Sequence, residues 1–261
     1  MNNPQQLLHK ALHRALSNWQ SWQVGEVTLT SQPQPVRELS GGKTNHSYLV
    51  ASDSFEAVVR INAANSESLG IDRQREWAIL QLLQPTGTVP KVFFCDHQVL
   101  VTSYCRGQQW LDTPQNCRKL NSALAQIQAI AAPGLEKRNY VDYCAAYIDQ
   151  LGQGHIHKHR VDQRMVEAIL SAASTVDNSD WTPVICHHDL VAENIIITES
   201  SPVLLDWEYA ALGHPALDAL RLFKNDLSSV QGAYDTEVIG QLAILQQGMD
   251  DLWSLLQSNE R

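Results

Sequence analysis

The chain has 261 residues, 44% of them hydrophobic and 18% charged, with a formal net charge of -9 at pH 7. This is an ordinary globular composition, long enough to bury one large core or two smaller ones, and an acidic balance with no segregated basic patch excludes nucleic acid as the main partner. Cys95, Cys105, Cys117, Cys144 and Cys186 form no CxxC pair and read as reduced thiols, no apolar run nears the roughly 20 residues of a membrane span, and the N-terminus lacks the apolar stretch of a signal peptide, so a cytoplasmic protein with no membrane partner is expected.

In chain order, the first predicted element is a helix carrying Leu8, Leu12, Ala15 and Leu16 on one face. A membrane-surface helix is conceivable, but a helix packed on a neighbouring lobe is the plainer reading of such a stripe. From Val36 to Tyr104 short β-type runs dominate, at Ser47–Ala51, Ala57–Ile61, Lys91–Cys95 and Val99–Ser103. One helix interrupts them, from about Asp72 to Leu83, with Trp77, Leu80 and Leu83 at helical spacing and Pro85 and Gly87 as the stop. This order predicts a small, mainly antiparallel lobe.

After Arg106-Gly107 helical patterns take over, at Pro114–Ala131, Tyr140–Leu151, Val161–Ala173 and Thr236–Leu256. Inserted among them are three brief apolar runs, Pro183–Cys186, Asn194–Thr198 and Val203–Asp206, too short for helices. The expected fold class is α+β in two lobes, residues 1–104 as a small antiparallel-sheet lobe and 105–261 as a larger helical lobe, joined by a short hinge near Ser103–Gly107.

His187-His188-Asp189-Leu190-Val191-Ala192-Glu193-Asn194 matches the pattern H-x-D-x-x-x-x-N, and Asp206 follows at the end of the next apolar run. Phosphoryl transfer needs a carboxylate to orient the attacking hydroxyl and accept its proton, and oxygen ligands to hold Mg2+ against the phosphates of ATP. Asp189 fits the first requirement, and Asn194 with Asp206 the second. Each alone would read as a turn former or cap, but their placement around β-type segments favours chemistry. His187 is expected to hold the loop by hydrogen bonds.

Three weaker signals precede this motif. Leu39-Ser40-Gly41-Gly42-Lys43-Thr44-Asn45 gives a glycine turn whose amides and hydroxyls could face phosphate, although a lone Gly-Gly is usually a hairpin turn. Arg60 is a cation ending an apolar strand, and Glu76 lies on the following helix where an ion pair could form; an isolated surface pair is the default alternative.

The order of glycine turn, strand cation, helix carboxylate, hinge, H-x-D-x-x-x-x-N and Asp resembles the aminoglycoside phosphotransferase and choline kinase superfamily, over roughly Leu39 to Leu220. Leu39-Ser40-Gly41-Gly42-x-Thr44-Asn45, Val58-Val59-Arg60-Ile61 and Leu205-Asp206-Trp207-Glu208-Tyr209-Ala210 look most like bacterial choline and thiamine kinases. The resemblance implies a protein-kinase-like two-lobe fold, ATP and Mg2+ as cofactors, and nucleotide and a small-molecule acceptor as partners. It implies Asp189 as base, Asn194 and Asp206 as metal ligands, and Gly41, Gly42, Thr44, Asn45 and Arg60 at the nucleotide phosphates, with Glu76 as the partner of Arg60. Ser103, Tyr104 and Cys105 would contact adenine, and Asp218 would anchor the loop. Departures are Arg60 in place of Lys, Gln128 where many relatives carry His, and a chain running only from Asp218 to Arg261 after that acid, which is expected to reduce any C-terminal substrate wall.

Trp207 and Glu208, beside Asp206, are candidates to meet a cationic acceptor such as thiamine or choline. The rivals are an aminoglycoside or sugar-like acceptor and a catalytically silent kinase-like binder. His155, His157 and His159 alternate in a segment that reads as a solvated loop rather than a metal site because of Lys158 and Arg160. Cys186 reads as a buried strand-end cysteine before a reactive thiol.

Overall fold

The strand signals near the start of the chain join into one sheet. In a computed structural model of the protein, which describes residues 4–25, 29–39, 45–53, 55–66, 69–153, 162–224, 226 and 234–259, strands β1 (Gln34–Leu39), β2 (His46–Ser52), β3 (Phe55–Ile61), β4 (Val92–Cys95) and β5 (Val99–Ser103) lie in the order β1-β2-β3-β5-β4. Every pairing is antiparallel, with Arg60 of β3 opposite Ser47 on one side and Leu100 on the other. Ala57, Val59 and Ile61 alternate along β3 and are buried with Val50, Phe55, Val99 and Val101 against Leu12, Ala15 and Leu16 of helix α1 (Pro4–Ser17). The stripe on α1 is therefore a packing face. The same period of two sends Arg60 to the other face of the sheet.

Two compact units are present, residues 1–66, 76–127 and 192–206 in the first and 67–75, 128–191 and 207–261 in the second. Both are discontinuous in sequence, so a cut near residue 104 remains a reading of the sequence. The first unit holds the five-stranded sheet, most of α2 (Arg73–Leu83), nearly all of α3 (Pro114–Gln128), and a small sheet of β6 (Gln108–Gln109), β8 (Ile195–Ile197) and β9 (Pro202–Leu204). On α2 the buried residues are Glu76, Ile79, Leu80 and Leu83, while Trp77, expected on the buried stripe, is exposed. A carboxylate occupies the inner face because an arginine awaits it there.

The second unit is helical. Its core joins Tyr140, Cys144 and Tyr147 of α4 (Tyr140–Gln153), Ile169, Ala172, Ala173 and Val176 of α5 (Gln163–Asn178), Leu217 and Leu220 of α6 (Leu217–Leu222), and Val238, Ile239, Leu242, Leu245 and Leu252 of α7 (Thr236–Asn259). These positions recur at helical spacing, so each helix turns one apolar stripe inward. A Cβ at Gly248 would clash with Ile169 Cγ1, so a larger residue there would force α5 and α7 to shift apart or Ile169 to repack. Asp162 caps α5 by accepting from Arg164 N, and Asp177 at its far end accepts from Tyr140 N and Val141 N at the start of α4. A two-stranded ribbon of β7 (Val184–Cys186) and β10 (Ala211–Gly213) completes the unit. The fold class is α+β, an antiparallel-sheet lobe and a helical lobe.

Candidate functional site

The first unit gathers three charged residues that the sequence scatters over 147 positions of chain. Arg60 Nη2 donates to Glu76 Oε2 at 2.7 Å and Nη1 to Asp206 Oδ1 at 3.1 Å, while Nε donates to Asn62 Oδ1 at 3.1 Å. The Arg60 and Glu76 side chains are only 9% and 4% exposed. A planar guanidinium suits this double engagement, since its fork can serve two carboxylates at once, which an ammonium cannot do with fixed geometry.

Asn194 and Asp206 sit at one end of the β8–β9 hairpin. Ile195 pairs with Leu204, and beyond that pair Leu205 N donates to Asn194 O at 2.8 Å. Asp206 then adopts φ 60, a left-handed conformation that Asp tolerates better than most residues and that concentrates at functional positions. An amide oxygen and a carboxylate are oxygen donors of the kind a hard divalent cation takes. Among the described residues no three His, Cys, Asp or Glu side chains form a metal cage.

The segment Ser103–Cys105 leaves β5. Ser103 is anchored by its N–H to Lys91 O at 2.8 Å and by its Oγ, which accepts from Lys91 N at 3.0 Å. The Cys105 thiol points back to Ser103 O, and burial pushes its pKa up. Asn45 is buried and its Oδ1 accepts from Ala63 N at 3.1 Å, tying the entry of β2 to the exit of β3. Gly41, Gly42 and Thr44 lie outside the described residues, as do His155, His157 and His159.

The second unit presents Asp189 on a loop braced from below. Asp218, wholly buried on α6, accepts from His187 N at 2.8 Å through Oδ2 and from His188 N at 3.0 Å through Oδ1. Burial pushes the Asp218 carboxyl above its usual range, against the two amides that favour its charged form. His187 is buried with its ring 4.7 Å from that of Trp207, and its Nδ1 accepts from Asp189 N at 3.3 Å. His188 takes φ 65, and burial drives its imidazole well below the usual pKa. Its ring stands between Cys186 O and Tyr140 Oη, each at 3.3 Å. A Cβ at Gly213 would come within 2.7 Å of both the His188 ring and Tyr140 Oη. The Cys186 thiol is buried, donates to His214 O and is pushed well above its ordinary pKa by burial.

Trp207 and Glu208 are placed inward. Trp207 is 2% exposed, and the Glu208 carboxylate, also buried, receives Arg73 Nη1 at 3.0 Å. Arg75 Nε donates to Ala210 O and Arg138 Nη2 to Tyr209 O, both at 2.8 Å. Three arginines thus hold the segment that follows Asp206. As placed, Trp207 and Glu208 brace it and turn no surface to an acceptor. A second aromatic pair in the unit is Tyr209 with Trp253, whose Nε1 donates to Tyr209 Oη at 3.2 Å. Burial pushes the Tyr209 pKa up, with the charge of Glu208 the next largest cause.

Sequence reasoning missed two charged residues here. Arg221 on α6 donates through Nη2 to Asp189 Oδ1 at 2.9 Å and through Nη1 to Asp250 on α7. The available signal was an arginine three residues after Asp218 in an otherwise apolar Leu217–Leu222 run, which puts both on one helical face.

An antiparallel sheet unit with an arginine clamped between a helix carboxylate and the Asp of a β-hairpin, and a helical unit with a pinned H-x-D loop, define the class of small-molecule kinase folds. Residues 35–252 match the sequence profile of the phosphotransferase enzyme family, and the chain belongs to that family. It is 26% identical over 219 residues to ethanolamine kinase 1 of Mus musculus, covering 76% of this chain and 58% of that protein; the chain therefore spans little more than half the length of this curated relative. Among solved structures it is similar to the choline kinase LicA from Streptococcus pneumoniae, with TM-score 0.75, 22% identity and coverage of 97% of this chain and 92% of that one, an enzyme also solved in complex with AMP. A Plasmodium vivax ethanolamine kinase gives TM-score 0.71, 17% identity and coverage of 100% and 85%. Among the described residues no helix is long and apolar enough to cross a membrane.

Proposed function

We propose that the chain is an ATP- and Mg2+-dependent phosphotransferase acting on the hydroxyl of a small cationic or amino alcohol, in the class of ethanolamine, choline and thiamine. The observation that carries this reading is Asp189, a carboxylate 30% exposed on a loop whose backbone is fixed by Asp218. Such a group can orient an acceptor hydroxyl and take up its proton as the phosphoryl group moves. Asn194 and Asp206 would hold Mg2+, which when bound neutralises charge on the phosphates. Arg60, Asn45 and the Gly41-Gly42-x-Thr44 turn would contact those phosphates, with Glu76 orienting Arg60. Ser103, Tyr104 and Cys105 would flank adenine.

The acceptor class rests on two supports. The relatives named above are ethanolamine and choline kinases. Tyr209 and Trp253 set aromatic faces near the base, and Asp250 lies one helical turn before Trp253 on α7; ring faces and a carboxylate attract a cation. In this reading they take the part that sequence pattern alone gives to Trp207 and Glu208. Protein incubated with ATP and Mg2+ against ethanolamine, choline, thiamine, kanamycin and spectinomycin is expected to turn over one of the three cationic alcohols fastest. Faster phosphorylation of the antibiotics would overturn the acceptor class, and no ATP turnover with any compound would overturn the kinase reading in favour of a silent binder.

A further inference from the structure

The geometry points to Arg221 as a positioning residue for Asp189, held in place by Asp250, so that an Asp250–Arg221–Asp189 chain of ion pairs sets the plane of the reacting carboxylate. This rests on the reading of Asp189 as base. Rotation about the terminal torsion of an aspartate is soft and broadly populated. A carboxylate on a loop therefore needs an external partner to stay aligned with an incoming hydroxyl. Arg221 supplies one at 2.9 Å, through a charge-assisted hydrogen bond to Oδ1.

The arginine is itself fixed. It leaves α6 one turn after Asp218, so one short helix holds the loop backbone through Asp218 and the loop's reacting side chain through Arg221. Its second amino group engages Asp250, so the fork is held at both tips. The two carboxylates keep Arg221 charged despite its partial burial. Lysine could not replace it fully, because a single ammonium point charge lacks the fork that spans two carboxylates. The chain carries one net negative charge, so it orients the base without making its surroundings repel a cationic acceptor.

The test uses the full chain, ATP, Mg2+ and the best acceptor among ethanolamine, choline and thiamine. Arg221→Met is expected to lower kcat about 10- to 100-fold, the scale of a lost orienting contact, with KM for ATP within about threefold. Arg221→Lys should recover part of the loss, Asp250→Asn should show a smaller one, and guanidinium ion added to Arg221→Ala should restore turnover in a saturable way. Melting temperatures of all variants separate a folding defect from a positioning defect. An unchanged or raised kcat in Arg221→Met would overturn the inference. So would a loss that follows the melting temperature and is rescued by neither lysine nor guanidinium. Asp189→Asn, run alongside, keeps the two readings apart: if it turns over normally the base assignment fails, whereas a dead Asp189→Asn beside fully active Arg221 variants sinks only the positioning role.

Discussion

Each unit contains an arginine gripped by two carboxylates, and the two clamps differ in burial. Arg60 in the sheet unit is 9% exposed and holds Glu76, at 4%, and Asp206. Arg221 in the helical unit is 22% exposed and holds Asp189 at 30% and Asp250 at 44%. A buried pair has already lost its hydration, so removing one partner strands a charge in a poor solvent and costs several kcal/mol. The half-buried clamp around Arg221 keeps more access to water, so its loss is expected to cost less stability. The same chemical motif is therefore expected to weigh more on stability in the sheet unit than in the helical unit.

The sharpest way to break this contrast is at Asp189, the proposed base. Asp189→Asn keeps a side chain of equal size but removes the proton acceptor, and turnover should fall at least about 1000-fold while nucleotide affinity changes less than about threefold. Steady-state kinetics with calorimetric ATP titration check both halves, and retained turnover would reassign Asp189. Next in size is Glu76→Gln, which leaves Arg60 buried with half its neutralising charge. It should lower stability by roughly 3 kcal/mol, read as a urea midpoint, whereas Arg221→Met should cost less than about 1 kcal/mol. Equal losses in the two variants would show that burial does not distinguish the clamps.

How much of this was legible follows the same division. Four strands of the five-stranded sheet, β2 to β5, were readable as short apolar runs, and α4, α5 and α7 because their apolar residues recur at helical spacing; β1 was not, since its residues are almost all exposed and show no buried alternation. β6, β10 and α6 were not, since two to six residues are too few to show a period. The loop from His187 to Asn194 stood out by spacing. Arg60 and Glu76 were singled out as an order of signals, and the structure joins them with Asp206. Arg221 and Asp250 escaped because their pairing depends on how α6 and α7 pack, which no local pattern encodes. Trp207 and Glu208 drew notice from their position beside Asp206, yet adjacency in a chain does not fix which way a side chain turns. There Arg73 and His187 claim them.

The smallest effect concerns pH and falls on the helical unit. His214 is buried, its Nδ1 accepts from Ala216 N at 3.1 Å, and burial, aided by Lys137, lowers its pKa to about 4. His188 is shifted in the same direction, with burial again the main cause. Protonation of His214 would remove the acceptor that Ala216 N uses and place a charge among Trp181 and Tyr234, whose rings lie 5.2 and 5.3 Å away. The native state thus prefers neutral imidazole, while the unfolded chain takes up a proton near pH 6.5. Below that value the unfolded state binds more protons, so stability falls as pH drops. The contribution is fully present above about pH 6.5 and is lost progressively toward pH 4, where the native ring also charges. His214→Asn keeps an oxygen for Ala216 N and removes the titration. Between pH 7 and 4.5 the parent should lose on the order of 1–2 kcal/mol more than this variant in urea unfolding. A parent no more acid-sensitive than His214→Asn would mean that the buried imidazole does not set the acid limit of the helical unit.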